Sequence, residues 1–156
     1  MEPVLIERSD GTNAPVELPA GAPIAAVEPF LPITTMLAVA LLGVLLWLTM
    51  AIVRERRSNR VSLGSGGVER LERLTRGHGN LAEFAPFGLI LAGLAELQGA
   101  PWWLLAPSAL AFLAGRLFHA RAFAGDAMGF ADRAVGMKLT IFALGGLAAT
   151  ALGSLL

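Results

Sequence analysis

Arg73, Arg76, Asn80 and Glu83 stand three, four and three residues apart. On a helix that spacing lays all four along one stripe, able to face one neighbour or one pocket. They belong to the run E-R-L-T-R-G-H-G-N-L-A-E, Glu72 to Glu83, which leads directly into an apolar stretch, Phe84 to Leu97, with the look of a membrane helix. Arg73 alone reads as an ordinary basic flank of such a helix. Asn80 and Glu83 do not, because a charged side chain well inside a bilayer costs roughly 2.5 to 3.5 kcal/mol on insertion scales unless it finds partners. A second patch, Gly115-Arg116-Leu117-Phe118-His119, places Arg116 and His119 three residues apart on one face. Either residue by itself could serve a helix end, Arg116 by reaching the headgroups and His119 by complementing the dipole. Two such patches at one depth imply a polar pocket at a membrane boundary.

The elements that position them follow from composition. Of 156 residues, 55% are hydrophobic and 15% charged, which is a membrane composition. The formal net charge is zero, and no basic patch is interleaved with aromatics, so nucleic acid is set aside as a partner. Cysteine is absent, which excludes disulfides and a cysteine nucleophile, so thiol chemistry needs a thiol brought by a ligand. The two histidines, His78 and His119, lack a metal-ligand spacing, and no metal site is expected. Tyrosine is absent too, so no phenol can act as acid or donor.

Residues 1–29 are rich in Pro, Ala and Glu and carry five acids against the single Arg8. With neither helical nor strand periodicity they read as an extended or disordered tail. Their acidity also argues against a signal peptide, whose first region is basic. From Phe30 to Val53 the chain has no charge over 24 residues, enough to cross a hydrocarbon core of roughly 30 Å. Arg54, Arg56, Arg57 and Arg60 follow, and the S-L-G-S-G-G run at 62–67 breaks the helix. A second helix is expected from about Val68 to Leu97, spanning over 77–97, with Glu69 and Glu72 in its first turns and a bend at Pro86. Gln98-Gly99-Ala100 is too short for anything but an antiparallel neighbour. Pro101 suits the first position of a third helix reaching Phe123, with Trp102 and Trp103 at its interfacial end. A mixed linker then leads to a fourth span over 133–154, opened by Arg133. The expectation is an all-α membrane protein with a four-transmembrane-helix bundle over residues 30–156.

Seven arginines cluster around the first loop and Arg116, Arg121, Arg133 and Lys138 around the third, against one Arg in the tail and none at the Gln98 turn. The positive-inside rule puts the charged loops in the cytoplasm and both termini outside it. Gly88 and Gly93 in the second span, and Gly145, Gly146 and Gly153 in the fourth, read as helix-packing surface.

Three segments in order, E-R-L-T-R-G-H-G-N-L-A-E-F-A-P, E-L-Q-G-A-P and G-R-L-F-H-A, resemble the MAPEG family of membrane-associated proteins in eicosanoid and glutathione metabolism. The likeness covers about Leu37 to Leu156 and is nearest to short bacterial members. It implies a homotrimer of four-helix subunits in a bacterial inner membrane, with glutathione as cosubstrate held between subunits at the cytoplasmic side. Arg73, Arg76, Asn80 and Glu83 would then be glutathione-binding, the last three matching the family's signature on its second helix. Arg116 and His119 look like the third-helix contacts, and Arg133 sits where catalytic members place the arginine facing the sulfur. Gly79, Phe123 and Ala134 depart from the pattern, standing where other members carry a basic residue, a tyrosine and a serine. Those departures turn the expectation away from eicosanoid synthesis. It becomes a glutathione-dependent transferase or peroxidase acting on lipophilic electrophiles, or alternatively a non-catalytic lipid-binding or accessory member. A transporter finds little support, since no inverted repeat or midspan charge is present.

Overall fold

The computed structural model describes residues 5–7, 13–15, 31–125 and 129–155. Four helices dominate it: α1 Pro32–Asn59, α2 Glu69–Leu97, α3 Trp102–Ala124 and α4 Phe130–Gly153. Each is long and apolar enough to cross a membrane, the build of a multi-pass membrane protein. Before them lie two short strands, β1 Leu5–Glu7 and β2 Asn13–Pro15, paired antiparallel with Ile6 opposite Ala14. Sequence periodicity gives no sign of these strands, because three residues are too few to show an alternation. The rest of the acidic tail lies outside the described residues.

Burial follows the helical repeat. On α1 the buried positions are Leu37, Leu41, Val44 and Leu48, while Met36, Val39, Leu42, Leu46 and Met50 point outward. On α4 the inward line is Gly136, Thr140, Ala143, Leu147 and Ala151. The inner pair is α2 and α3. Both pack against α1 and against α4, whereas α1 and α4 do not touch each other. At the arginine-rich end a cavity lies over α2 on one side of the bundle and a smaller one over α3 on the other.

Boundaries differ from the sequence reading at two places, the starts of α3 and α4. The first helix carries Arg54, Arg56 and Arg57 on its last turns, beyond the uncharged stretch. It ends at Arg60, before the glycine run, with φ 54° in the left-handed region. The Arg60 and Val61 amides donate to the Arg57 and Arg56 carbonyls, closing a Schellman cap that usually takes glycine. Pro101 caps α3 from outside its first turn, and α4 begins three residues before Arg133. Pro86 and Pro107 both lie inside their helices.

Glycines set the closest approaches. A Cβ on Gly136 would lie 2.6 Å from the His119 amide nitrogen, and one on Gly115 2.9 Å from that of Thr140. Those are backbone atoms, so α3 and α4 meet at a distance that only glycine permits. Gly88 accommodates the Phe112 ring and Gly146 the Ser108 side chain in the same way, whereas nothing lies near Gly145 and Gly153.

Polar ties hold α1 to α2 at three levels. At the arginine-rich end Arg70 lies 3.4 Å from the Glu55 carboxylate. Farther in, the Thr49 hydroxyl donates to the Leu45 carbonyl, which leaves it to accept from His78 Nε2–H at 3.1 Å. At the opposite end both carboxylate oxygens of Glu96 accept first-turn amides of α1, from Ile33 at 2.9 Å and Thr34 at 2.8 Å. No local side chain caps α1. Glu96 does so from 63 residues away, and its negative charge complements the helix dipole.

Glu96→Ala should therefore lower subunit stability by about 1–2 kcal/mol, the usual cost of a lost cap. Glu96→Gln, which keeps one acceptor, should lose about half of that. Unfolding midpoints in a denaturing-detergent titration check the order; equal midpoints for wild type and Glu96→Ala would remove the cap from the account.

Candidate functional site

Arg116 is 1% exposed. A buried guanidinium needs partners on every side, and Arg116 has neutral ones. Its Nε and Nη2 donate to the Thr140 hydroxyl, with Nε at 2.9 Å, and Nη1 donates to Asn80 Oδ1 at 2.8 Å. The Phe84 ring lies under the guanidinium carbon at 4.9 Å. Thr140 can accept because its own proton goes to the Gly136 carbonyl at 2.8 Å. Gly115 and Gly136 bring α4 near enough for this contact.

The Arg116 bond also fixes Asn80. Arginine only donates, so the amide oxygen must face Arg116, and the Asn80 NH₂ is left as a donor toward the cavity over α2. That cavity, of about 900 Å³, lies at the arginine-rich end. Arg73, Arg76, Asn80 and Glu83 all line it, as the stripe on α2 requires, and Arg133 faces it from α4. Phe123 forms an apolar wall. Its ring lies 5.8 Å beneath the Arg133 guanidinium carbon and 5.1 Å from the His119 ring. Gly77 makes room for it, since a Cβ there would come within 2.8 Å of Phe123 Cβ.

The predicted residues thus separate into two groups. Arg76, Glu83 and Arg133 are exposed to the cavity, and among the described residues none of them forms a hydrogen bond or ion pair. Arg73 lines the cavity but is engaged, with Nη1 2.7 Å from Glu69 and Nη2 3.5 Å from the Gly125 carbonyl. Arg116 and His119 do not line it. Arg116 reaches the cavity only through Asn80, and buried His119 only through Phe123. The similar depth of the two patches, expected from the short α2–α3 turn, is seen in the Asn80–Arg116 bond itself.

Sequence reasoning gave no site role to Thr140, Phe84, Arg56 or Glu69. The first two complete the Arg116 environment, and the last two line the outer part of the cavity. The signal for Thr140 was present as Gly136-x-x-x-Thr140, two small residues on one face of a membrane helix. Arg56 reads as a basic flank until α1 is seen to continue as a helix past it.

Comparison with known proteins agrees with this architecture. The chain is similar to inner membrane protein YecN of Escherichia coli strain K12, 38% identical over 68 residues. It matches inner membrane protein YecN of Escherichia coli O6:H1 strain CFT073 equally well. The alignment takes in 44% of this chain and 52% of each relative, about half their length. The MAPEG family profile matches residues 34–153, nearly all of the four-helix region. With three signature segments on α2 and α3 and a match across all four helices, this chain belongs to the MAPEG family.

Proposed function

We propose that the cavity over α2 binds glutathione and that the protein acts as a glutathione-dependent transferase or peroxidase on lipophilic electrophiles. The observation that carries this reading is the set of unpaired opposite charges on one cavity: Arg76 and Arg133 against Glu83. Glutathione carries two carboxylates and one ammonium, and guanidiniums suit the former as a carboxylate suits the latter. Arg76 and Glu83 are seven residues apart, about 10.5 Å along the helix, too far to neutralise each other. They are instead spaced to hold different parts of one extended ligand. The Asn80 NH₂, aimed by Arg116, adds a hydrogen-bond donor between them.

Arg133 takes the chemical role. Phe123 beneath its guanidinium excludes water from one side, which strengthens the field at a nearby sulfur. A thiol of pKa about 8.5 moves toward neutrality next to such a cation, each unit being worth about 1.4 kcal/mol. The sulfur then attacks an electrophilic carbon, forming a thioether as the leaving group departs. A lipid hydroperoxide would instead be reduced to its alcohol while two glutathiones become the disulfide and water forms. An apolar electrophile dissolved in the bilayer would meet that sulfur from the lipid side.

Membership of the family and the exposure of Arg76 and Glu83 on a single subunit support a homotrimer in which a neighbouring subunit closes the cavity. The relatives' description and the arginine distribution support an inner-membrane location, with the arginine-rich end in the cytoplasm and both termini outside it.

Three measurements test these statements. Adding glutathione to purified protein at neutral pH should raise the ultraviolet thiolate band, and Arg133→Ala should reduce that signal about tenfold for one pKa unit while binding persists. Arg133→Lys should recover only part of it, whereas Arg76→Ala and Glu83→Ala should mainly weaken binding, by roughly tenfold. Binding with no thiolate signal in wild type would replace the transferase with a non-catalytic accessory protein. In mild detergent the mass should be that of three chains, and a monomer that still binds glutathione would sink the shared site. Cysteines introduced at Thr12 and Ser65 should label from opposite sides of the membrane, and labelling from one side would reverse the topology.

A further inference from the structure

The groove on the other side of the bundle, over α3, holds a second cavity of about 380 Å³ at the arginine-rich end. Trp47 of α1, Arg121 of α3 and Asp132 of α4 face it. Arg121 and Asp132 are opposite charges on one small cavity, yet among the described residues neither has an ion pair or hydrogen bond. Both line the cavity, Arg121 from the last turn of α3 and Asp132 from the first turn of α4, without meeting within ion-pair distance. Two separated, unpaired, opposite charges are complementary to a ligand that carries both signs a short distance apart.

The surroundings say how the rest of that ligand is built. Trp47 is 44% exposed and sits within the uncharged stretch of α1. Arg54, seven residues on, falls on the same face nearer the polar end and is exposed as well. On α3, exposed Phe118 lies one turn deeper than Arg121 on its face. The groove is thus charged at its outer end, aromatic at the level where tryptophan favours the membrane interface, and apolar below. A soluble zwitterion has nothing to place against that lower part.

We infer that the groove over α3 is a headgroup site for a phosphatidylethanolamine lipid, with Arg121 taking the phosphate and Asp132 the primary ammonium. Arg54 adds a second cation on the phosphate side. An anionic lipid would meet Asp132 as a repelling charge, and a choline headgroup cannot donate the hydrogen bonds that a primary ammonium brings to a carboxylate. This site shares no lining residue with the cavity over α2 and stands independently of the glutathione reading.

The test uses Trp47 as its own reporter. The chain has three tryptophans, so Trp102→Phe with Trp103→Phe leaves Trp47 as the sole fluorophore. That protein is reconstituted into phosphatidylcholine vesicles containing a minor fraction of lipid brominated on the acyl chain, with an ethanolamine, glycerol or choline headgroup. Brominated phosphatidylethanolamine should quench Trp47 as though enriched about threefold over its mole fraction, the size expected of partly exposed ion pairs. Asp132→Asn and Arg121→Gln should each return quenching to the mole fraction, and Asp132→Glu, which keeps the carboxylate, should retain the excess. Equal quenching by the ethanolamine and choline lipids would overturn the assignment. So would stronger quenching by the glycerol lipid, or an excess that survives Asp132→Asn.

Discussion

The buried Arg116 guanidinium is the constraint around which the arginine-rich end of the bundle is arranged. A full charge out of water costs several kcal/mol unless its donors are met, and here they are met by Thr140, Asn80 and the face of Phe84. Those three partners come from α4 and α2, so one side chain of α3 sets the spacing of three helices. The geometry holds only because Gly115 and Gly136 let α3 and α4 approach to backbone contact. It then propagates outward: Asn80 is turned to offer its NH₂ to the cavity, and the tight α3–α4 pair carries Phe123 under Arg133. Residues that never touch the cavity thereby determine what it presents.

The second organising fact is that α2 and α3 lie between α1 and α4, which do not meet. The bundle carries a cavity on each side of this inner pair. Each lies at the arginine-rich end, where the sequence concentrates its ionisable residues, and each displays charges of both signs that have no ion pair among the described residues. The difference is in size and depth. The groove over α2 is large and rimmed by charges from three helices, while the one over α3 is small and continues downward into apolar surface.

Much of this was legible in the sequence. Apolar stretches of helical length, only the first of them free of charge, mark the four helices, and the i, i+3, i+7, i+10 placement of Arg73, Arg76, Asn80 and Glu83 puts them on one face, as found. The short Gln98-Gly99-Ala100 turn implied the depth match that the Asn80–Arg116 bond displays. Helix ends were less legible, because α1 continues through arginines that read as a flank and is stopped by a left-handed Arg60, a conformation that normally marks glycine. For Arg116 and His119 the sequence gives their shared helix face, whereas that this face is buried against α2 and α4 depends on the packing. Thr140 escaped notice because a lone threonine in an apolar span is ordinary, and its importance depends on an arginine 24 residues away.

Glu96 makes the two ends of the subunit unlike. At its own end the start of α1 is tied to the end of α2 by two backbone amides donating to one carboxylate, just before the tight Gly99 turn that leads from α2 to α3. At the arginine-rich end the same two helices are joined by the longer connection over 60–68, steadied by Arg56 on the Gly64 carbonyl and by the Arg70–Glu55 pair. One end of the α1–α2 pair is thus a short joint made by a single carboxylate, and the other a longer span crossed by separate ties. The register of α1 against α2 is set from the Glu96 end, as a hinge pin sets two leaves.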